Sequence, residues 1–528
     1  MNQANVPHQS QKPQTFETLI IGTGFSGLMA AIRLRKKGLE DFVMLERSAE
    51  MGGTWRDNSY PGAEVDIPTG LYSLSNVPYP FSKRYAPQSE LLDYTNHIIE
   101  FHQLKEKTQT NRTVTCLNWE ENQQQWLVDT ASGDRYVARF VIDTSGVLAN
   151  PHTPQIEGAT DFTGAQFHSG QWDHNQSLNG KRVGVIGSGC SAAQIVPAIA
   201  SQVKQLNLFM GKAQWVIPRS DRTYSKLEQR LMMLPVIRQL NRFIIFAYHE
   251  VRFVAFKRFK WTQGISRFIK KFYTRTLRKN LEKHIADPTL RAHMMPDYEL
   301  GCRRVIPTNT YLPALGRDNV KVDISGIKRI TATGIETHPG EQVPLDIIVY
   351  ATGFYAYSHP EKLLTFDVFG QQNRHLNSEW QEDMVTYKGL MAEGFPNYFK
   401  VNGPNTGTGH SSQISYMQTM TSYIVKAICA VKKQPDISAI MPKPERQQAY
   451  MDQLKRNLQK TVWQTGGCSA FYKKNMTGIV TSLSPESMVH FIFSRQRFRL
   501  NDYQCLTAEA PQPSANKKSQ PVNQVSMS

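Results

Sequence analysis

The spacing of apolar and polar residues changes along the chain, and each change marks an element. Thr18-Leu19-Ile20-Ile21 is a short, nearly continuous apolar run that suits a strand buried on both faces. The glycine turn Gly22-Thr23-Gly24-Phe25-Ser26-Gly27 follows, then a helical stretch over Leu28–Lys37 that Gly38 ends. Asp41-Phe42-Val43-Met44-Leu45-Glu46 reads as a second strand. The same unit recurs later. Arg182-Val183-Gly184-Val185-Ile186 predicts a strand, Gly187-Ser188-Gly189-Cys190-Ser191-Ala192 a second glycine turn, Gln194–Ala200 a helix and Leu206–Met210 a strand. Two more apolar runs end in small-residue turns, Arg139 to Gly146 and Asp346 to Phe354, as strands crossing between two domains would. The expected fold class is α/β, with two Rossmann-like dinucleotide-binding domains and a helical insert.

Composition narrows the class. The 528 residues are 40% hydrophobic and 20% charged, an ordinary globular balance with room for two or three domains. A mean hydropathy of −0.44, with no uninterrupted apolar run near ~18 residues, excludes an integral membrane protein. Met1–Thr15 is polar and lacks the basic and apolar make-up of an export signal, so a cytoplasmic enzyme is expected. The six cysteines (Cys116, Cys190, Cys302, Cys429, Cys468, Cys505) have no CxxC or finger spacing and read as reduced thiols, with no metal site. Beyond Thr507 the chain turns Pro/Gln/Ser/Asn-rich, as a disordered tail does.

Charge is the unusual quantity, at +17 overall. Arg238 to Asn280 alone holds twelve Lys/Arg and one acid, Glu250. Ile265, Phe268, Ile269 and Phe272 stand there at i, i+3, i+4 and i+7, so the insert is helical and amphipathic. Such a stretch either packs its apolar stripe on its own protein or makes peripheral contact with an anionic membrane through 238–280. No nucleic-acid module accompanies the charge, so no nucleic acid is expected.

The two glycine turns differ in their acids. Glu46 closes the first unit 24 residues after Gly22, about where a carboxylate meets a ribose hydroxyl, and this suits the adenosine half of FAD. The second unit has Gly211 and Lys212 instead. A lysine pairs with a 2′-phosphate that a carboxylate would repel, so this turn suits NADPH. Two dinucleotide folds in one chain indicate a flavoprotein that takes hydride from a nicotinamide.

Between the turns, Phe162, Gly164, His168, Trp172 and Asp173 fit F-x-G-x-x-x-H-x-x-x-W-(P/D) at every fixed position. This resembles the fingerprint of type I Baeyer–Villiger monooxygenases, members of the flavin-containing monooxygenase superfamily. Other blocks agree over most of 16–480. Gly52 to Ala63 resembles the FAD-contacting loop of the 4-hydroxyacetophenone monooxygenase-like branch, with Asp66 and Tyr72 following it. Leu300-Gly301-Cys302-Arg303-Arg304 resembles the Gly-Cys-Lys-Arg segment, while Gly394–Asn397 and Gly403–Gly407 resemble the late flavin-domain block.

The resemblance implies an enzyme that uses FAD, NADPH and O₂ to turn a small hydrophobic ketone into an ester or lactone. It implies Arg304 as the cation stabilising the peroxyflavin and ketone adduct, and Asp66 as the residue positioning it. Cofactor contacts are implied at Gly22, Gly24, Ser26, Gly27, Glu46, Gly53, Thr54, Trp55, Asp66, Tyr72 and Val114 for FAD. For NADPH they are implied at Gly187, Ser188, Gly189, Ser191, Gln194, Lys212 and Arg303. His168 takes a structural or conformational part. The domains follow as 16–155 and 355–506 for FAD, 156–225 and 301–354 for NADP, 226–300 for the basic helical insert and 507–528 for the tail.

Three departures from the family pattern stand out. Met210-Gly211-Lys212 replaces Gln-Arg-(Thr/Ser), Glu64 adds an acid beside the catalytic pair, and Ala470-Phe471 stands where tryptophan is frequent. Two rival readings accompany the ketone one. The first is a flavin monooxygenase oxygenating N or S atoms or hydroxylating a lipophilic substrate. The second is a membrane-surface flavin-binding protein without oxygenation activity.

Overall fold

The computed structural model describes residues 12–253, 256–257, 263–357, 359 and 364–507, without the side chains of 263 and 265. Its first sheet has eight strands. At its centre β1 (Gln14–Ile21) lies between β2 (Phe42–Leu45) and β3 (Arg135–Asp143), parallel to both. Helix α1 (Phe25–Arg35) connects β1 to β2, and Tyr398–Lys400 runs parallel to β3. Ile21 pairs with Leu45 and with Asp143, so three strands end level with the first glycine turn. That carboxyl edge is where open α/β sheets hold ligands. β1 starts four residues before the predicted run because its first half is partly solvated and carries polar side chains.

A second sheet of five parallel strands follows. It comprises β4 (Ala165–His168), β5 (Arg182–Ile186), β6 (Gln205–Phe209), β7 (Val320–Asp323) and β8 (Ile347–Tyr350), in the order β7-β6-β5-β8-β4. Helix α2 (Cys190–Ile199) starts directly at the second glycine turn, four residues before the predicted Gln194. Ile186, Phe209 and Tyr350 end level there, which repeats the arrangement of the first sheet.

The described part of the basic insert includes three helices, α3 (Lys226–Met233), α4 (Pro235–Phe253) and α5 (Gln263–His284). A capping box between Ser225 and Glu228 starts α3. α4 has two apolar faces. Ile245, His249 and Phe253, at i, i+4 and i+8, point inward and are buried. Val236, Leu240, Phe243, Ile244 and Val251 point outward and are exposed. Leu277 and Leu281 of α5 enter the core of the second domain, whereas Phe268 and Phe272 stay exposed. Of the stripe read from the sequence, Phe268 and Phe272 are thus left in solvent and Ile269 is half-buried.

Helix α6 (Gln413–Lys432) packs on α1, and α7 (Met488–Ser494) rests on α6 with Tyr416 and Phe491 rings 4.3 Å apart. Thr507, the first residue of the expected tail, closes a strand, Tyr503–Thr507, paired with Ile437–Pro442. The rest of that tail, 508–528, lies outside the described residues.

Candidate active site between two glycine turns

The first turn is built by close approach. Gly22 sits at φ +98°, and a Cβ on Gly27 would fall 2.1 Å from Gly22 O. Gly53 presses on Gly24, whose Cα a Cβ would meet at 2.8 Å. Gly24 caps α1 with no side-chain bond, which leaves first-turn amides free to receive an anion such as a pyrophosphate. Buried Glu46 stands at the tip of β2. Its Oε2 accepts from Thr23 N–H at 3.1 Å and Thr23 Oγ1 at 2.5 Å, and its Oε1 pairs with Arg56 at 3.1 Å. Arg112 N–H donates to Glu46 O at 2.8 Å, while Val114 is buried in the core with Leu45. Ser26 Oγ accepts from Asn402 Nδ2 at 3.2 Å. Thr54 opens the short helix Thr54–Asp57, whose Trp55 meets Tyr72 edge-on at 5.8 Å. Amides at a helix start and an acid at the next strand tip fit the donor and acceptor needs of an adenosine dinucleotide.

At the second turn Gly187 has φ +131°, and its Cβ would fall 2.3 Å from Ala351 O, at the end of β8. Gly189 caps α2, and a Cβ placed on it would meet no atom within 4 Å, so the helix start is open. Ser188 Oγ donates to Lys212 O at 2.8 Å, and the Lys212 side chain is exposed beside it. This too fits a dinucleotide, with a lysine in place of the acid. Ser191 follows Cys190 in the first turn of α2 and is half-buried.

A loop of the first domain docks on α2. Tyr60 donates to Gln194 Oε1 at 2.8 Å, and Gln194 Nε2 donates to Glu64 O at 2.9 Å. Gly62, at φ +81°, lies so close to α2 that a Cβ would fall 2.4 Å from Gln194 O. Docking carries Asp66 to Arg304, 238 residues away in sequence. Arg304 Nε donates to Asp66 Oδ2 at 2.6 Å and Nη2 to Oδ1 at 2.7 Å, a planar fork on a carboxylate. The Asp66 charge raises the guanidinium pKa further, so Arg304 stays charged at any working pH. Burial, then the Asp66 charge, pushes the Cys190 thiol up to about 11. Burial likewise raises the Tyr72 hydroxyl, with Asp66 adding to it. The pair therefore stands within electrostatic reach of both Cys190, α2's first residue, and Tyr72.

Glu64 is not a free acid in this site. Arg219 Nη2 holds it at 2.7 Å and Asp221 at 3.0 Å, so the added charge is matched by an arginine of the second domain. Arg303 turns to the late loop, donating to Ser469 O at 2.7 Å and Ser469 Oγ at 2.9 Å, with its guanidinium over the Tyr298 ring. Lys212, by contrast, keeps its exposed place at the second turn. His168 ends β4 beside Tyr350 and is buried. Its Nδ1 accepts from Gly170 N–H at 2.9 Å, and burial lowers its pKa to about 4, so the ring is neutral at pH 7.

The reading of six reduced thiols is corrected. Cys302 and Cys468 form a disulfide, and Cys116, Cys190, Cys429 and Cys505 are free. The partners are 166 residues apart and meet only because two distant loops fold together, which spacing cannot reveal. The bond ties the segment carrying Arg303 and Arg304 to the loop carrying Ser469. Among the described residues no His/Cys/Asp/Glu cluster could hold a metal.

The insert supplies residues that no motif announces. His249 Nδ1 lies 2.8 Å from His410 O, and burial lowers the His249 pKa to about 4. The His410 ring lies 4.4 Å from Phe253 and 6.5 Å from Phe256, and both phenylalanines approach Trp463, at 6.3 and 5.9 Å. Glu250, the lone acid of the basic segment, meets His410 Nε2 at 3.2 Å and accepts from Met488 N–H at 2.9 Å, at the start of α7. The inward spacing of Ile245, His249 and Phe253 was the available signal. It distinguishes a buried face but not what that face meets.

Comparison with known proteins agrees with this architecture. The family described as pyridine nucleotide-disulphide oxidoreductase matches residues 19–241. The chain is 35% identical over 489 residues to a Baeyer-Villiger monooxygenase of Streptomyces coelicolor, covering 92% of each. It is 36% identical over 490 residues to a Baeyer-Villiger monooxygenase of Pseudomonas aeruginosa, covering 92% of this chain and 91% of that one. A solved cyclohexanone monooxygenase from Rhodococcus sp. Phi1 bound to NADP⁺ matches with a TM-score of 0.83 at 23% identity, over 94% of this chain and 100% of that one. A steroid monooxygenase bound to NADP matches at 0.82 and 23%, with the same coverage. At that identity the structures speak for the fold. The sequence relationship spans nine-tenths of the chain, and on that ground the chain belongs to the Baeyer–Villiger monooxygenase family.

Proposed function

We propose that the chain is an FAD- and NADPH-dependent monooxygenase that inserts one oxygen atom of O₂ beside the carbonyl of a hydrophobic ketone, giving an ester or lactone. The observation that carries this reading is the Asp66–Arg304 fork, set between the two glycine turns. Bound FAD, reduced by NADPH, supplies the oxygen-transfer chemistry.

The chain's own residues do the rest. Arg304 sets a permanent cation where negative charge grows on the carbonyl oxygen, and Asp66 fixes its aim before substrate arrives. The α1 amides and Glu46 hold the FAD adenosine and pyrophosphate, while the α2 amides and Lys212 hold NADPH, Lys212 through the 2′-phosphate. Arg303 positions its segment through Ser469. A bulky, largely apolar ketone would rest against the ring cluster of His249, Phe253, Phe256, His410 and Trp463, whose His249 lies within electrostatic reach of Asp66. The domain boundaries at 155, 225, 300 and 354 follow the same reading. The decisive assay gives the purified protein NADPH, ¹⁸O₂ and a panel of aryl, cyclic and long-chain ketones. One labelled oxygen in an ester supports the reading, whereas NADPH consumption yielding hydrogen peroxide alone refutes it.

The outward stripe of α4, with exposed Arg267, Lys271, Arg275, Arg278 and Lys279 on α5, favours peripheral contact with an anionic membrane through 238–280. No helix among the described residues is long and apolar enough to cross a membrane. Vesicle flotation tests this contact, and its absence at physiological salt would remove it.

A further inference from the structure

Between α4 on one side and α6 and α7 on the other runs a groove of about 420 Å³, inside the ~300–1,000 Å³ range of small-molecule sites. None of its lining residues belongs to a glycine turn or to the Asp66–Arg304 fork. Four cations from four elements line it: Arg33 of α1, Arg242 of α4, Lys426 of α6 and Arg495 just beyond α7. Among the described residues, no carboxylate does.

The partners of these cations show an excess of positive charge. Arg495 pairs with Glu486 at 2.8 Å. Arg242 meets neutral oxygens: Ser73 O at 2.7 Å, Gln418 Oε1 at 2.9 Å, Ser415 Oγ at 3.3 Å and Gly70 O at 3.4 Å. Arg33 donates to Thr421 Oγ1 at 3.2 Å and Lys426 to Gln496 O at 2.6 Å. Burial pulls the Arg242 guanidinium down to about 10 and lowers that of Arg33 as well. Withdrawing cations from water without a counter-charge is unfavourable, and an anion in the groove would reverse that.

The same groove is also lined by apolar side chains from both sides, Leu71 and Phe246 facing Met488 and Ile492 across it. Phe243 stands at its mouth, 65% exposed, and continues into the outward stripe of α4. A small inorganic anion would leave those side chains uncovered, and a neutral lipid would leave the cations unanswered.

The geometry points to an anionic amphiphile as the occupant, its carboxylate or phosphate head between Arg33, Arg242 and Lys426 and an acyl chain along Leu71, Phe246, Met488 and Ile492. A free fatty acid and a phospholipid headgroup share this chemistry. Neither depends on the ketone reaction.

The test titrates the flavin-loaded protein calorimetrically with dodecanoate, dodecanol, inorganic phosphate and vesicles of phosphatidylglycerol. Dodecanoate is expected to bind one per chain and far more tightly than either dodecanol or phosphate. The double variant Arg33→Gln/Lys426→Gln is expected to weaken it by about 10–100-fold, as loss of charge-assisted bonds implies. NADPH oxidation in that variant should be unchanged. Phe243→Glu, which alters an exposed side chain, provides a second check and should weaken dodecanoate by repelling its head and exposing its chain. Vesicles that displace dodecanoate from the native protein, and bind the double variant more weakly than the native one, would assign the source to lipid headgroups. No displacement would assign it to free acid. Equal binding of dodecanol or of phosphate, or unaltered dodecanoate affinity in both variants, would overturn the proposal.

Discussion

Asp66→Asn separates the charge of the active site from its aim. Native Asp66 accepts two charge-assisted hydrogen bonds from Arg304, at 2.6 and 2.7 Å. Asparagine keeps one oxygen and turns an NH₂ group towards a guanidinium nitrogen, so one bond is lost and a donor faces a donor. A hydrogen bond to a charged group contributes about 1.5–3 kcal/mol. The Arg304 side chain is 35% exposed, and water recovers part of that loss. The lower part of the range applies, which corresponds to about a 10–30-fold fall in ester formation. Arg304→Ala removes the cation itself and should cost about 10²–10³, the scale of deleting a donor aimed at an oxyanion. Neither substitution touches the first glycine turn, so the yellow flavin complex should survive.

The assay follows three quantities in one reaction: NADPH consumed, ester formed by mass spectrometry and hydrogen peroxide released. The expected signature is near-native NADPH consumption with oxygen diverted from ester to peroxide, more completely in Arg304→Ala than in Asp66→Asn. Native coupling in Arg304→Ala would refute the assignment outright. Equal loss of flavin binding and activity in both variants would instead show the pair to be structural.

Lys212→Ala should raise KM for NADPH by about 10–100-fold through the lost phosphate contact and leave NADH kinetics unchanged; equal effects on both cofactors would exclude a 2′-phosphate role. Gly62→Ala adds a Cβ 2.4 Å from Gln194 O at a left-handed φ of +81°, with overpacking and backbone strain together worth about 2–5 kcal/mol. Differential scanning should show a lower unfolding temperature and steady-state assays poorer coupling, whereas a native profile would refute close docking of this loop on α2. Cys468→Ser opens the cross-link to Cys302, which spans 166 residues and on chain-entropy grounds contributes up to about 5 kcal/mol. The oxidised wild type should show four free thiols on denaturation and a higher melting point than the variant; a full complement of six free thiols in the wild type would refute the bond.

The parts of the molecule legible in the sequence are those whose physics is local. Thr18–Ile21 and Arg182–Ile186 are apolar runs followed by glycines, and both became central parallel strands ending at the turns they predicted. Boundaries moved where polarity misled. β1 begins at Gln14 because a partly solvated strand end needs no apolar residue, and α2 begins at Cys190 because the glycine turn leads straight into the helix. Asp66 and Arg304 stand in separate blocks of resemblance. Nothing along the chain stated that they would meet in a fork, since that depends on Gly62 letting one domain's loop rest on the other domain's helix.

Other features belong to tertiary structure alone. Glu64 is an extra acid near Asp66 along the chain, but only the fold gives it Arg219 as a partner. Cys302 and Cys468 gave no spacing signal because a disulfide needs only that two loops converge, whatever their separation. The basic insert showed its charge and period plainly, but one helical repeat serves two faces of α4. Which face carries His249 and Phe253 towards His410, and which leaves Leu240 and Ile244 in solvent, is set by what packs against it. Strand, turn and cofactor class were thus determined by the sequence itself, because a few neighbouring residues suffice to impose them. Pairing of charges, closure of the cross-link and the groove beneath α4 were decided only by the fold, because each joins side chains that are distant along the chain and have no local physics in common.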